Sequence, residues 1–147
     1  MYPSDDLVSF RRVPAALRRT PIREFALTLR DAVTRGRQFH CVITDDRELR
    51  HLNRRFLGHD YPTDVLSFPS DGIIVLGDLA ISAARAAAQA RALGHSQLEE
   101  IRILMLHGVL HLVGMDHETD RGRMARAETR WRKKLNLPPG LIARARS

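Results

Sequence analysis

Three histidines within an eleven-residue window, His107, His111 and His117, are the side chains of this 147-residue sequence best suited to holding a metal ion. His107 and His111 lie four residues apart, so on a helix their rings stack on one face about one turn apart and both reach the same ion. Gly114 stands between the second and third histidine, where a left-handed glycine ends the helix and folds the chain back towards that ion. Three neutral imidazoles leave one position of a tetrahedral zinc open to water, whose pKa falls to about 7 in such sites. The spacing therefore predicts one catalytic Zn2+ per chain, with His107, His111 and His117 as ligands acting through a metal-bound water. The plain alternative, three separately satisfied histidines, sits poorly with two of them on an apolar helix, where unpaired imidazoles cost free energy. Asp116 either orients an imidazole or is a solvated turn residue.

The metallopeptidase signature with this spacing has a Glu directly after the first histidine as general base, and here that position is Gly108. A peptidase would lack its proton acceptor, which turns the search towards another substrate. The charge suggests a polyanion: the formal net charge is +7, and Lys133 and Lys134 are the only lysines in an otherwise arginine-based basic set. Arg121, Arg123, Arg126, Arg130 and Arg132 follow the histidines closely, so a basic C-terminal face beside the metal is expected. Cys41 is the single cysteine, which excludes an intramolecular disulfide and a thiolate zinc cluster. No apolar run approaches the ~18 residues of a membrane span, and the first residues lack the basic start and apolar middle of a signal peptide. A cytoplasmic protein without a membrane partner is the expectation.

The elements that must position the histidines can be read from periodicity and punctuation. Val8 to Phe10 suits a short strand; Pro21, then Phe25, Leu29, Ala32 and Val33, predict a helix ending near Gly36. Phe39 to Thr44 reads as a strand, Thr44 or Asp45 as an N-cap, and Leu49, Leu52, Asn53 and Phe56 as a helix stopped at Gly58. Asp64 to Phe68 and Ile73 to Leu79 read as strands around the turn Pro69-Ser70-Asp71-Gly72, and the Ala-rich run Ile81 to Leu93 as a helix. Ser96 and Glu99 form a capping box that opens the histidine helix. Ile101, Leu104, Met105, Leu110 and Leu112 make it apolar nearly all round, hence buried, up to Gly114. A last helix is expected over Thr119 to Leu135. No repeat or linker interrupts the chain, so one α+β domain spans residues 1–147.

The stretch from His107 to His117, His-Gly-Val-Leu-His-Leu-Val-Gly-Met-Asp-His, resembles the signature of the YbeY family of bacterial ribosomal-RNA endoribonucleases. Leu52-Asn53, Asp60, the run Pro62 to Pro69 and Leu76-Gly77-Asp78 resemble further family blocks in the same order, and the likeness covers roughly residues 40 to 130. The resemblance implies a small mixed sheet of about four strands packed with about five helices around a zincin-like metal helix. It also implies a zinc-dependent, single-strand-specific endoribonuclease acting in small-subunit (16S) rRNA maturation and ribosome quality control. Ribosomal RNA, the small ribosomal subunit and ribosome-associated proteins are the implied partners, and DNA is not expected. One position departs from the pattern: where the family usually has an arginine before the glycine of the Leu-Asn block, this chain has Leu57. Arg54, Arg55 and His59 are the nearby candidates to contact RNA in its place, with Arg121 and Arg123 from the basic segment. Thr63, Asp64 and Ser67 are candidates to line the cleft opposite the metal, Asp64 and Ser67 as catalytic groups or as turn caps, and Asp78 reads as a structural turn residue. Two rival functions remain at this point: a ribosome- or RNA-binding assembly factor with a structural zinc, and a metallopeptidase.

Overall fold

A computed structural model describes residues 7–61, 63–115 and 121–139. Strand β1 (Val8–Phe10) leads to helix α1 (Thr20–Ala32), whose Pro21 occupies the first turn, where its missing N–H costs nothing. Strand β2 (Gln38–Thr44) is followed by α2 (Asp46–Leu57), opened by Asp45, whose carboxylate accepts from the Glu48 backbone N–H at 2.8 Å. Strands β3 (Val65–Pro69) and β4 (Val75–Ser82) form a hairpin, and α3 (Ala83–Leu93) continues directly from it. Helix α4 (Gln97–Leu112) carries the predicted capping box: Ser96 Oγ accepts from Glu99 N–H, and the Glu99 carboxylate accepts from Ser96 N–H at 2.9 Å. The hydrogen bond from the Ser96 backbone N–H holds the Glu99 carboxyl below its ordinary pKa. Helix α5 (Arg123–Lys134) is the last described element.

The sheet runs in the order β1-β2-β4-β3, with β1, β2 and β4 parallel and β3 antiparallel at the edge. Among the described residues this gives a four-stranded mixed sheet with five helices, the α+β architecture expected. Strand alternation divides the apolar residues between two faces. Phe39, Cys41, Ile43, Leu79 and Ile81 face the main core with α1 and α4, whereas Val42, Leu66 and Ala80 pack under Leu49 and Leu52 of α2. Helix α4 is the centre of the core: it packs against α1, α3, α5, β3 and β4, which is why it is apolar on nearly every side. Cys41 is fully buried, and burial pushes its thiol pKa well above the usual range, so it offers no thiolate.

Three boundaries depart from the expectations. Ile81 and Ser82, read as the start of an alanine-rich helix, continue β4, because both pair with β2 and Ile81 pairs also with Val65 of β3; Ser82 then caps α3 by accepting from the Arg85 N–H at 3.1 Å. The last described helix begins at Arg123, and the expected start at Thr119 lies outside the described residues. Arg121 and Gly122 have left-handed φ values of 57° and 82°, which no α-helix accommodates. Helix α1 stops at Ala32, before the Gly36 turn, where Thr34 Oγ1 donates to the Arg30 carbonyl at 2.8 Å.

Candidate active site

From Ile103 to Leu112 only His107 and His111 retain access to solvent, the rest of that stretch of α4 being buried. Their spacing does what a helix dictates: the ring centroids are 4.8 Å apart, with ring planes at 73°. The His107 Nδ1 hydrogen-bonds Glu128 Oε1 on α5, the two side chains being only 14% and 12% exposed. Arg132, one turn further along α5, donates from Nη2 to Glu128 Oε2 at 3.4 Å. An ionised carboxylate can only accept, so Nδ1 carries the proton and Nε2 is left with its lone pair as the ligand atom of a neutral ring. A carboxylate behind a histidine is the usual support of a metal-bound imidazole, and this donor set suits zinc. Among the described residues no third ligating side chain joins the pair, and His117, with Asp116, lies outside them.

The pair opens into a cleft of about 460 Å³. Val65, Ser67 and Pro69 of the edge strand β3 form one wall, Gly114 and Met115 lie beyond the end of α4, and Leu57 projects from the end of α2. Gly114 has φ +101°, the left-handed turn expected of it, in open space that imposes no packing limit. No carboxylate is among the described residues lining the cleft. Gly108, where a peptidase has its base, faces the sheet: a Cβ there would lie 2.6 Å from Leu79 Cδ2. Helix and sheet approach so closely at this point that the position holds no side chain at all.

The structure brings some of the predicted residues to the cleft and takes others elsewhere. Ser67 lines it, with its hydroxyl donating to the Gly108 carbonyl at 3.3 Å, so it ties β3 to α4 beside the histidines. Asp64 does not line it: its carboxylate accepts from Gln89 Nε2 at 3.0 Å, and its carbonyl from the Ser82 N–H, fastening the hairpin to α3. Arg54 lies on the outer face of α2, Arg55 stacks on the Phe56 ring, and His59 packs beside Tyr61, so none stands in for the arginine replaced by Leu57 at the cleft. Arg121 and Arg123 are exposed at the start of α5. Arg132 leaves the expected basic face: it is 5% exposed and turned inward to Glu128. Sequence reasoning missed Glu128. It is the sole acidic residue in α5, four residues before Arg132, and that isolated carboxylate on a basic helix was the available signal.

A mixed α+β sheet with a paired-histidine helix at the foot of an edge-strand cleft defines a metal-hydrolase type of domain. Residues 17–136 match the family model described as Endoribonuclease YbeY. Over 145 residues the chain is 61% identical to the Endoribonuclease YbeY of Solibacter usitatus, covering 99% of this chain and 98% of that one. It is 53% identical over 107 residues to the Koribacter versatilis protein of the same name and 46% over 105 residues to that of Helicobacter pylori. The solution structure of TM1509 from Thermotoga maritima superposes with a TM-score of 0.61 over 95% of both chains at 20% identity, a likeness of fold. The chain belongs to the YbeY endoribonuclease family. It is a nuclease, and the peptidase alternative falls with that assignment, as Gly108 had suggested.

Proposed function

We propose that the chain is a zinc-dependent endoribonuclease that cuts single-stranded RNA, with small-subunit ribosomal RNA as its substrate, in rRNA maturation and ribosome quality control in the cytoplasm. The observation that carries this reading is the carboxylate-backed histidine pair facing a cleft whose described walls hold no acid. His107, His111 and His117 would hold one Zn2+. When bound, the metal supplies a Lewis acid for the phosphate and a means of lowering the pKa of a hydroxyl or water. Glu128 keeps the His107 ring in one tautomer and orientation. Ser67 ties the edge strand to α4 and so holds the cleft wall beside the histidines. Described walls without a carboxylate suit a phosphodiester, because a carboxylate beside the scissile phosphate would repel it, and RNA offers a nucleophile of its own in the 2′-hydroxyl. Small-subunit ribosomal protein or RNA neighbours are the fitting partners for a chain of net charge +7.

The test is cleavage of single-stranded ribosomal RNA by the zinc-loaded protein beside His111→Ala and a chelated control, with bound metal quantified in each. Cleavage should disappear with the metal and with His111. Stoichiometric zinc without any cleavage would overturn the reading in favour of an RNA-binding assembly factor.

A further inference from the structure

Helix α2 ends at the cleft with Leu57, but the rest of its outer face points to a second groove of about 680 Å³. At ~100° per residue, Arg47, Arg50, His51, Arg54 and Leu57 fall within a sector of about 120°, opposite the buried Leu49 and Asn53. One continuous stripe thus runs from the N-terminal end of the helix to the wall of the histidine cleft. The groove is also lined by Arg12, Asp45 and Glu48. Its two acids are already engaged: Asp45 accepts from the Glu48 N–H as helix cap, and Arg12 Nη1 pairs with Glu48 at 3.1 Å and stands 4.0 Å from Asp45. Asp60 takes Arg50 at 2.9 Å, and Asp46 is turned away to Arg85. Among the described residues Arg47 and Arg54 have no ion pair, although both are exposed on the same face of the helix.

We infer that the Arg47–Arg50–Arg54 face of α2 is a phosphate track that holds the RNA strand leading away from the cleft. The inference rests on the nuclease reading above and adds a second contact region to it. Charge complementarity selects the occupant: guanidinium groups in a row, with no apolar floor, suit a phosphate backbone and not a protein helix. The geometry sets the reach. Arg47 to Arg54 spans ~10 Å of helix axis, room for about three phosphates at ~3.4 Å per nucleotide of stacked strand. The missing arginine at Leu57 also acquires a consequence, since grip on the substrate moves one to three turns up the helix, off the reacting centre.

The experiment measures binding of two unstructured RNAs, a tetramer and a fifteen-mer, in the His111→Ala background so that neither is cut. Arg47→Gln/Arg54→Gln is set against Arg18→Gln/Arg91→Gln, which removes the same charge from exposed sites elsewhere. All four positions are exposed, so folding is retained, which thermal melts verify. Each lost contact lowers the salt slope of single-strand binding by about 0.7. Accumulated between 1 M and 0.15 M salt, two such losses weaken the fifteen-mer about tenfold. The tetramer, which can span only part of the path from the cleft along α2, should lose clearly less than the fifteen-mer, and the control pair should leave both RNAs within twofold. Equal effects of the two variants on the fifteen-mer, or equal loss of the tetramer and the fifteen-mer, would overturn the track. If wild type cleaves RNA while those results hold, the nuclease reading survives alone; if wild type neither binds nor cleaves, both fall.

Discussion

Replacing Glu128 tests whether the histidine pair is a prepared ligand set or two neighbouring rings. In Glu128→Gln the side chain keeps its shape and can still accept from His107 Nδ1, but the amide accepts about half as strongly as a carboxylate, and its NH2 end can invite the opposite tautomer. Both side chains are largely out of solvent, at 14% and 12% exposure, so water does little to screen the loss. Changes of this kind behind a metal-bound histidine cost roughly 10- to 100-fold in metal affinity, or about 1.4 to 2.7 kcal/mol. Arg132 adds a second consequence. Its guanidinium is 6% exposed and donates to Glu128 Oε2, so a neutral residue 128 leaves a buried charge less well compensated, and the metal-free protein should lose about 1 to 3 kcal/mol.

The assay is competition for zinc against a chromophoric chelator, with the tautomer of His107 followed by imidazole nitrogen NMR and metal-free stability by urea unfolding. Expected are weaker zinc binding by the factor above, a His107 ring no longer confined to the Nδ1–H form, and a lower urea midpoint. Glu128→Ala should do all three more severely. Unchanged zinc affinity together with an unchanged tautomer would refute the idea that Glu128 prepares the ligand, whatever happened to activity.

Four other substitutions probe the frame around the site. Gly108→Ala drives a methyl into Leu79 Cδ2, which must give way inside a packed core; a loss of about 1 to 3 kcal/mol in urea unfolding is expected. Ser96→Ala removes one half of the capping box at the start of the histidine helix and should cost about 1 kcal/mol by the same measurement. Leu57→Arg returns a cation to the cleft wall, where this residue is 46% exposed, and should tighten single-stranded RNA about fourfold at 0.15 M salt while steepening the salt slope by about 0.7. Asp46→Asn bears on pH: the Arg85 guanidinium, donating to both carboxylate oxygens at 3.0 Å, holds the Asp46 carboxyl below its ordinary pKa. A depressed folded-state pKa gives stability that is present above the unfolded value near 4 and is lost as pH falls through the folded one. Wild type should therefore exceed Asp46→Asn at pH 7 by no more than about 1 kcal/mol, because the pair is 39% and 37% exposed, and the two should converge in acid.

Much of this could be read from the residues because the relevant physics is local. The capping box at Ser96 and Glu99, the cap at Asp45, the glycine stop at Gly58 and the His107–His111 spacing are all set within a turn of helix, and each appears where the residues placed it. What was missed is long-range. Ile81 and Ser82 open an alanine-rich run that reads as helical, but pairing within a central strand overrides that reading. Asp64 is near Ser67 in sequence yet lies just before β3, where its carboxylate belongs to Gln89 on α3. Glu128 lies 21 residues beyond His107, and only the packing of α5 on α4 makes them partners.

Gly108 connects that packing to the chemistry. On a helix the residue after the first ligand points about 100° away from it, and a peptidase fills that direction with its carboxylate. Here the same direction is filled by the Leu79 side chain of β4, whose Cδ2 would lie 2.6 Å from a Cβ at residue 108. An acid at residue 108 would therefore have to displace the Leu79 side chain inside a packed core. The Ser67 hydroxyl, donating to the Gly108 carbonyl, ties the neighbouring strand β3 and the cleft wall to the same point of the helix. A helix that gives this position to packing against Leu79 carries no peptidase base there, in keeping with the nuclease family to which the chain belongs.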